Sequence, residues 1–520
     1  MMLVMVAHRL KIAYPIFLVV AGLGISFVPG IPKMGLDPEV VFLIFLPPLL
    51  YEAAWYTSWK DFWKWKRPIS LLAFGLVFCT SIVVAYTSSA LIPGFTLALG
   101  FLLGGIVSPP DAVAAATVMK GIKMPKRILT ILEGESLVND ASSLIVFRFA
   151  LAAVLTGFFS LQVAVGDFFI SAGMGVVTGL VFGHIMYVIH RFLPTTSAMD
   201  AALTVMTPYI IYLAAEHFEF SGVIAVVTGG LFISYRSHEI FKTGDSRLNT
   251  NNVWRTMVFV MNAIVFILIG LELPNIVSGL GEHSVGEAIR YGVIISAVTI
   301  GIRFLWVYPI TFLPRFIKSI RQSEPSPGWK IPLIVSWAGM RGVVSLATAL
   351  STPVTLTDST TFPFRNLIIF ITFVVIFITL VVQGLTLPLI VRLIKIKEID
   401  DELPREQQEA GIRLRLNKVA LQRLDEKYAP EIKSNELVGF FRNNLVNDID
   451  TTRQTLDSLE CDDTEREELE LYAKIVKDIY HVQRHELYRL RKEKFYSDEE
   501  IRHMEMHVDL EELKVSGHYN

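Results

Sequence analysis

The chain has 520 residues, 52% of them hydrophobic and 18% charged, with a mean hydropathy of +0.49. Those values lie outside the range of an ordinary soluble domain and point to a membrane protein. A net charge of −2 leaves no electrostatic footprint for a nucleic-acid partner, and two cysteines, Cys79 and Cys461, exclude a disulfide framework.

A spanning helix needs ~20 mostly apolar residues. In chain order, candidates cover 12–28, 38–55, 68–92, 95–119, 127–157, 163–190, 198–217, 220–235, 251–273, 286–313, 330–352 and 365–394, twelve in all. Residues 1–7, MMLVMVA, read as the end of a further helix, too short to cross. Counted from that stub, 95–119 is the fifth helix and 127–157 the sixth. No cleavable signal peptide is visible, and the first spans themselves direct insertion. From Glu398 onward the chain is rich in Glu, Arg, Lys and Asp, with no run long enough to span. The reading is therefore an all-α polytopic membrane domain over 1–397 and a helical, regulatory tail over 398–520.

The links between spans alternate in charge. One set is basic: Arg9 and Lys11; Lys60, Lys64, Lys66 and Arg67; Lys120, Lys123, Lys126 and Arg127; Arg191; Arg236, Lys242, Arg247 and Arg255; Arg315, Lys318, Arg321 and Lys330. The alternate links hold almost no Lys or Arg, with Lys33, Arg290 and Arg365 the exceptions. The basic links are expected in the cytoplasm, and the tail with them.

Ionisable groups recur inside the apolar segments: Glu52, Asp111, Glu133, Glu135, Asp140, Arg148, Glu272, Arg303 and Arg341. Each costs at least ~2.5–3.5 kcal/mol to insert, so such groups face a bundle interior or a wet cavity. Pairing between helices accounts for some of them, but the acids are too many and too clustered for pairing to account for all. GESLVNDASS (134–143) shows how they divide. Ser136 and Asp140 are four apart and share a helix face; Glu135 and Asn139 share the neighbouring face, rotated by about 100°. A hydroxyl with a carboxylate suits a hard cation. The Glu135 face suits an arginine. One acid is thus expected to bind an ion and the other to be neutralised structurally. Glu272 and Arg303 are candidates for a second pair.

Two spans read as broken. SPPDAV (108–113) puts two prolines before Asp111, and WAGMRGVVS (337–345) sets Arg341 between glycines. Irregular backbone at membrane depth is tolerated only where protein encloses it or it lines a cavity. Breaks in the fifth and twelfth helices occupy corresponding positions of two halves, which points to a transporter built from inverted repeats. LPPLLYEAA (46–54) adds a double proline before Glu52.

GESLVND, preceded by LPPLLYEAA and GGIVSPPDAV and followed by SWAGMRGVVSLA, resembles the bacterial NhaP-like cation:proton antiporters, relatives of the animal sodium/proton exchangers. The likeness covers about residues 8–395. It implies a thirteen-helix fold with crossed broken helices, working as a homodimer in the bilayer by elevator-like alternating access. Relatives begin with a full first helix, of which about seven residues correspond here. By position, Asp140 is the aspartate that binds cation or proton, with Ser136, Asp111, Glu52 and the carbonyl of Pro110 as further ligands. Asn139 supports the helix crossing, and Glu135 with Arg341 forms the buried ion pair. Where animal exchangers carry Asp-Pro at the fifth-helix crossing, this chain has Pro-Pro-Asp-Ala. An Asn-Asp pair goes with electroneutral one-for-one exchange.

The expected activity is exchange of Na⁺ or Li⁺ for H⁺ across the bacterial plasma membrane, serving pH and sodium homeostasis. The transported ions are the ligands, and no cofactor or further metal is called for. Potassium/proton exchange on the same fold is the alternative. A cation channel is the alternative of another class, although no filter-like carbonyl loop is present. No protease signature lies in a span, so the chain is not read as an enzyme. In the tail, His481 with His485 and His503 with His507 are four apart; solvated helix faces explain this spacing better than metal binding or pH sensing.

Overall fold

The computed structural model describes all residues except 11, 29–37, 120, 121, 123, 158–160, 281–283, 319–325, 327, 357–359, 395–404, 461–463, 494, 495 and 520. Lys11, Lys33, Lys120, Lys123, Arg321, Lys395, Lys397, Glu398, Pro404, Cys461 and the 397–398 boundary fall outside the described residues. The rest is helical, and the only β pairing among the described residues is an isolated bridge between Thr355 and Thr361. Two compact units divide the chain, Met1–Asp400 and Asp401–Asn520.

In the first unit the order is α1 Met2–Arg9, α2 Tyr14–Ser26, α3 Pro38–Tyr56 and the short α4 Trp59–Lys64. Next come α5 Lys66–Leu91, α6 Leu97–Val107, α7 Ala112–Met119 and α8 Lys126–Thr156. Then follow α9 Leu161–Phe192, α10 Ser197–His217, α11 Gly222–Tyr235, α12 Ser237–Ile240, α13 Gly244–Leu271 and α14 Val285–Phe312. The unit closes with α15 Lys330–Trp337, α16 Val343–Leu350 and α17 Arg365–Ile394. Each of the twelve expected segments contains helix, with non-helical breaks inside 95–119 and 330–352. Among the described residues, eight helices are long and apolar enough to cross a membrane, while Tyr14–Ser26 and Gly222–Tyr235 are shorter apolar helices.

The starts of several helices are written in single residues. Thr96, Thr196, Ser221, Thr243 and Ser284 each accept a hydrogen bond from the amide three residues on, capping α6, α10, α11, α13 and α14. Small residues set the closest packing. A Cβ on Gly100 would lie 2.8 Å from the Ala85 Cα, and one on Gly104 would lie 2.7 Å from the Ser81 Cα, so α6 and α5 touch backbone to backbone.

Two π-helical turns interrupt the regular helices, Leu71–Leu76 in α5 and Thr379–Gln383 in α17. Each frees or offsets backbone groups, a feature common near functional sites. Trp306 donates to the Leu71 carbonyl at 3.0 Å, and Ser142 to the Ala73 carbonyl at 2.5 Å.

The second unit holds α18 Arg405–Lys427, α19 Ala429–Ser434, α20 Glu436–Glu460, α21 Thr464–Glu493 and α22 Asp498–Tyr519. Helix α18 packs on α20, and α21 packs on α22. Arg442 pairs with Asp425 at 2.7 Å across the first hairpin, and Arg484 with Asp509 at 2.6 Å across the second. His481, His485, His503 and His507 are all exposed. No cluster of three or more metal-ligating side chains occurs among the described residues.

Candidate functional site

The breaks read from the sequence are real interruptions, and they meet. Pro109 and Pro110 cannot donate the amides that would continue α6 past Val107, and the chain turns helical again at Ala112. Helix α15 stops at Trp337, and α16 begins only after Ala338–Gly342. The Asp111 amide donates to the Met340 carbonyl at 2.7 Å, joining the two breaks. A Cβ on Gly342 would lie 1.8 Å from Asp111 Oδ2, so only glycine permits the approach.

Charge is arranged at this crossing by helix polarity. Asp111 Oδ1 accepts the amides of Val113 at 2.8 Å and Ala114 at 3.2 Å, and the carboxylate also accepts from the Val343 amide. One carboxylate therefore caps the N-termini of both α7 and α16, where amides point out unsatisfied. The opposite polarity falls to Arg341. Its Nε donates to the Val107 carbonyl at 2.8 Å, at the end of α6, and its Nη1 to the Gly339 carbonyl, just past α15. The Arg341 amide is held by Thr379 Oγ1 at 3.1 Å, from the π turn of α17.

Helix α8 runs beside the crossing and presents the two faces expected. Asp140 is 6% exposed, and Glu135 and Asn139 are fully buried. Ser136 Oγ accepts the Ala112 amide at 3.3 Å and lies 3.5 Å from the Pro110 carbonyl, which also accepts from Asn139 Nδ2 at 3.4 Å. Asp140, Asp111, Ser136 and Pro110 line one cavity with about 70 Å³ of room. Its other polar side chains are Asn262 of α13 and Ser345 of α16, and among the described residues no Lys or Arg lines it. Phe45, Leu46, Leu49 and Leu50 of α3 form an apolar wall. The arrangement is a small, mostly apolar chamber at a helix crossing with a few oxygen groups, from Asp140, Asp111, Ser136 and Pro110, suited to a desolvated monovalent cation or a proton.

Three expectations are corrected. Glu135 pairs with Arg303, not Arg341: Arg303 Nη1 and Nη2 reach its two oxygens at 2.5 and 2.7 Å, and both side chains are about 1% exposed. Arg303 reaches Glu135 from α14 with its Nε held on the Val335 carbonyl at 3.0 Å, while Arg341 gives its Nε and Nη1 to the Val107 and Gly339 carbonyls. Arg303 is accordingly not the partner of Glu272. Glu52 does not line the Asp140 cavity; on α3 the lining positions are Leu46, Leu49, Leu50 and Ala53, and Glu52 interacts electrostatically with Glu133. Arg148 forms a partly exposed pair with Glu216 at 2.9 Å.

Asn262 and Ser345 were missed as lining residues. The signal for Asn262 was present, a lone amide in the apolar run MVFVMNAIVF. Ser345 stands in the first turn of α16, in a sequence where small polar residues are too common to single out.

The family model for the transmembrane sodium/hydrogen exchanger matches residues 1–393. The chain belongs to the sodium/hydrogen exchanger family. It is 37% identical over 388 residues to the sodium, potassium, lithium and rubidium/H⁺ antiporter of Bacillus subtilis (strain 168), covering 72% of this chain and 58% of that protein. The corresponding antiporter of Bacillus pumilus (strain SAFR-032) is 35% identical over 387 residues, 72% of this chain and 57% of its own length. This exchanger-family chain thus spans less than two thirds of those relatives. The sodium/proton antiporter MjNhaP1 of Methanocaldococcus jannaschii shares the fold, with a TM-score of 0.58 at 18% identity, over 75% of this chain and 94% of that one.

Proposed function

We propose that the chain is a secondary active carrier that exchanges Na⁺ or Li⁺ for H⁺, one for one, across the bacterial plasma membrane, as a homodimer with its tail in the cytoplasm. The observation that supports this reading is the buried Asp140 carboxylate in a mostly apolar cavity, beside the oxygens of Ser136 and Pro110 and with no Lys or Arg among the described lining residues. A carboxylate out of water must be neutralised, and here only a proton or a cation from solution can do it. The two compete, so the site is loaded by one or the other.

Asp140 would bind and release the proton or the cation. Ser136 Oγ and the Pro110 carbonyl would complete the cation's shell. Asp111 would hold the two half-helix N-termini in register, and Arg341 the two C-termini. The likeness to relatives with an Asn-Asp pair, here Asn139 and Asp140, supports one Na⁺ moving against one H⁺, so that no net charge crosses. A tenfold proton gradient then supplies ~1.4 kcal/mol. Potassium exchange is a second reading, favoured by the names of the Bacillus relatives, which include potassium and rubidium.

The test is proton movement in proteoliposomes after addition of Na⁺, Li⁺ or K⁺. Cation-dependent collapse of the pH gradient, lost in Asp140→Asn while the variant stays folded, is the expected result. Exchange retained in Asp140→Asn would overturn the assignment, and cation flux without proton movement would make the protein a channel.

A further inference from the structure

The Asp140 cavity has walls of two kinds. One wall is a single hydrogen-bonded block. Ser136 of α8 accepts the Ala112 amide, Asn139 of α8 donates to the Pro110 carbonyl, and the Asp111 amide donates to the Met340 carbonyl. The Asp111 carboxylate takes the Val343 amide, two residues before Ser345. Ser345 is 1% exposed and lines the cavity, and its Oγ has no hydrogen-bond partner among the described residues. Asp140, Ser136, Pro110 and Ser345 are thus fixed to one another and would move together.

The other wall comes from α3 and α13. On α3 the lining side chains are Phe45, Leu46, Leu49, Leu50 and Ala53, all apolar. Such a face can slide past the block without breaking hydrogen bonds. Helix α13 is anchored away from the block. A Cβ on Gly22 of α2 would lie 3.2 Å from the Gly270 Cα, so α2 and α13 touch backbone to backbone. Trp254 of α13 stacks on Tyr51 of α3 with 5.3 Å between ring centroids, and it donates to Thr204 Oγ1 of α10 at 3.1 Å. Asn262 of α13 is the polar residue that this wall gives to the cavity, and it is 4% exposed. A buried amide in an apolar helix costs free energy unless something satisfies it.

A carrier opens its site to one face at a time by moving one bundle against another around the ion. We propose that Asn262 is a one-sided ligand: its amide oxygen coordinates the cation in the orientation described here, and it stays with α13 when the block turns to the other face, whereas Ser345 travels with the ion. An amide oxygen and a hydroxyl both suit a hard cation. The cavity follows α3 from Phe45 to Ala53, toward the end of α3 that enters the basic link expected in the cytoplasm, so the affected face is the cytoplasmic one. The inference rests on the carrier reading of Asp140 and adds to it a residue that sets affinity on one side of the membrane.

The test is the cation KM of exchange measured from each face, in everted and in right-side-out membrane vesicles, for wild type, Asn262→Ala and Ser345→Ala. Asn262→Ala is expected to raise the KM about fivefold in everted vesicles, where the cytoplasmic face meets the added cation, and to leave it unchanged in right-side-out vesicles. Ser345→Ala is expected to raise it in both. For Asn262→Ala, an equal rise at the two faces, a rise at the outer face alone, or no rise overturns the one-sided ligand. If Asn262→Ala does not fold, Asn262→Val, which fills the site without an oxygen, is held to the same result. Absence of cation-coupled proton movement in the wild type would instead remove the carrier reading itself, and this inference with it.

Discussion

Replacing Arg303 by Met tests the reassigned ion pair. Methionine matches the length of the arginine stem but removes the guanidinium, which makes three hydrogen bonds: 2.5 and 2.7 Å to the Glu135 oxygens and 3.0 Å to the Val335 carbonyl. Glu135 is fully buried, so no water replaces them. Stranding one member of a buried pair costs about 3–5 kcal/mol. At roughly 2 °C per kcal/mol for a large domain, the unfolding midpoint should fall by roughly 6–10 °C. Adding Glu135→Leu should restore most of that loss, because an apolar pair of similar volume removes both desolvation penalties. Arg341→Met should also destabilise, by uncovering the carbonyls of Val107 and Gly339, but Glu135→Leu should not rescue it. Midpoints of the five proteins, read by fluorescence during a thermal ramp in detergent, decide the matter. Rescue of the Arg341 variant, with none of the Arg303 variant, would refute the pairing.

Gly342→Ala should drive its new methyl into the Asp111 carboxylate, where a Cβ would lie 2.6 Å from Cγ. Two helix caps at ~1 kcal/mol each are then at stake, and ion exchange should be lost, whereas Gly301→Ala, which meets nothing within 4 Å, should behave as wild type in the same vesicle assay. Asn262→Ala removes the one polar group that α13 gives to the Asp140 cavity. Loss of a ligand of ~1 kcal/mol should raise the cation KM about fivefold with kcat kept; an unchanged KM for every cation would remove Asn262 from the site. Burial of Asp61 works against its charge, yet hydrogen bonds from Lys126 and Ser58 hold its carboxyl below the usual range. A depressed folded pKa contributes stability that is present above the unfolded value and lost as the pH falls through the folded one. The midpoint gap between wild type and Asp61→Asn should therefore be full at pH 7 and shrink below about pH 4, and a gap independent of pH would argue against the Lys126 bridge.

Helix positions were legible because each apolar run had to satisfy its own backbone in lipid, leaving helix as the available state, and because Thr96, Ser221 and Ser284 mark starts by local chemistry. The breaks were legible for the same local reason: Pro109 and Pro110 lack amides, whatever surrounds them. Spacing along α8 separated the Asp140 face from the Glu135 face, since 3.6 residues per turn is a property of the helix alone. Which arginine met Glu135 was not local. Arg303 and Arg341 lie 168 and 206 positions along the chain from it, and both are buried, long and charged. The choice was made by tertiary geometry: the Arg303 guanidinium reaches both Glu135 oxygens, while Arg341 donates to the Val107 and Gly339 carbonyls at the crossing of the two broken helices. Glu52 fell outside the Asp140 cavity for a kindred reason, because rotation of α3 about its axis turns Leu46, Leu49 and Ala53 inward, and nothing in its own sequence sets that rotation.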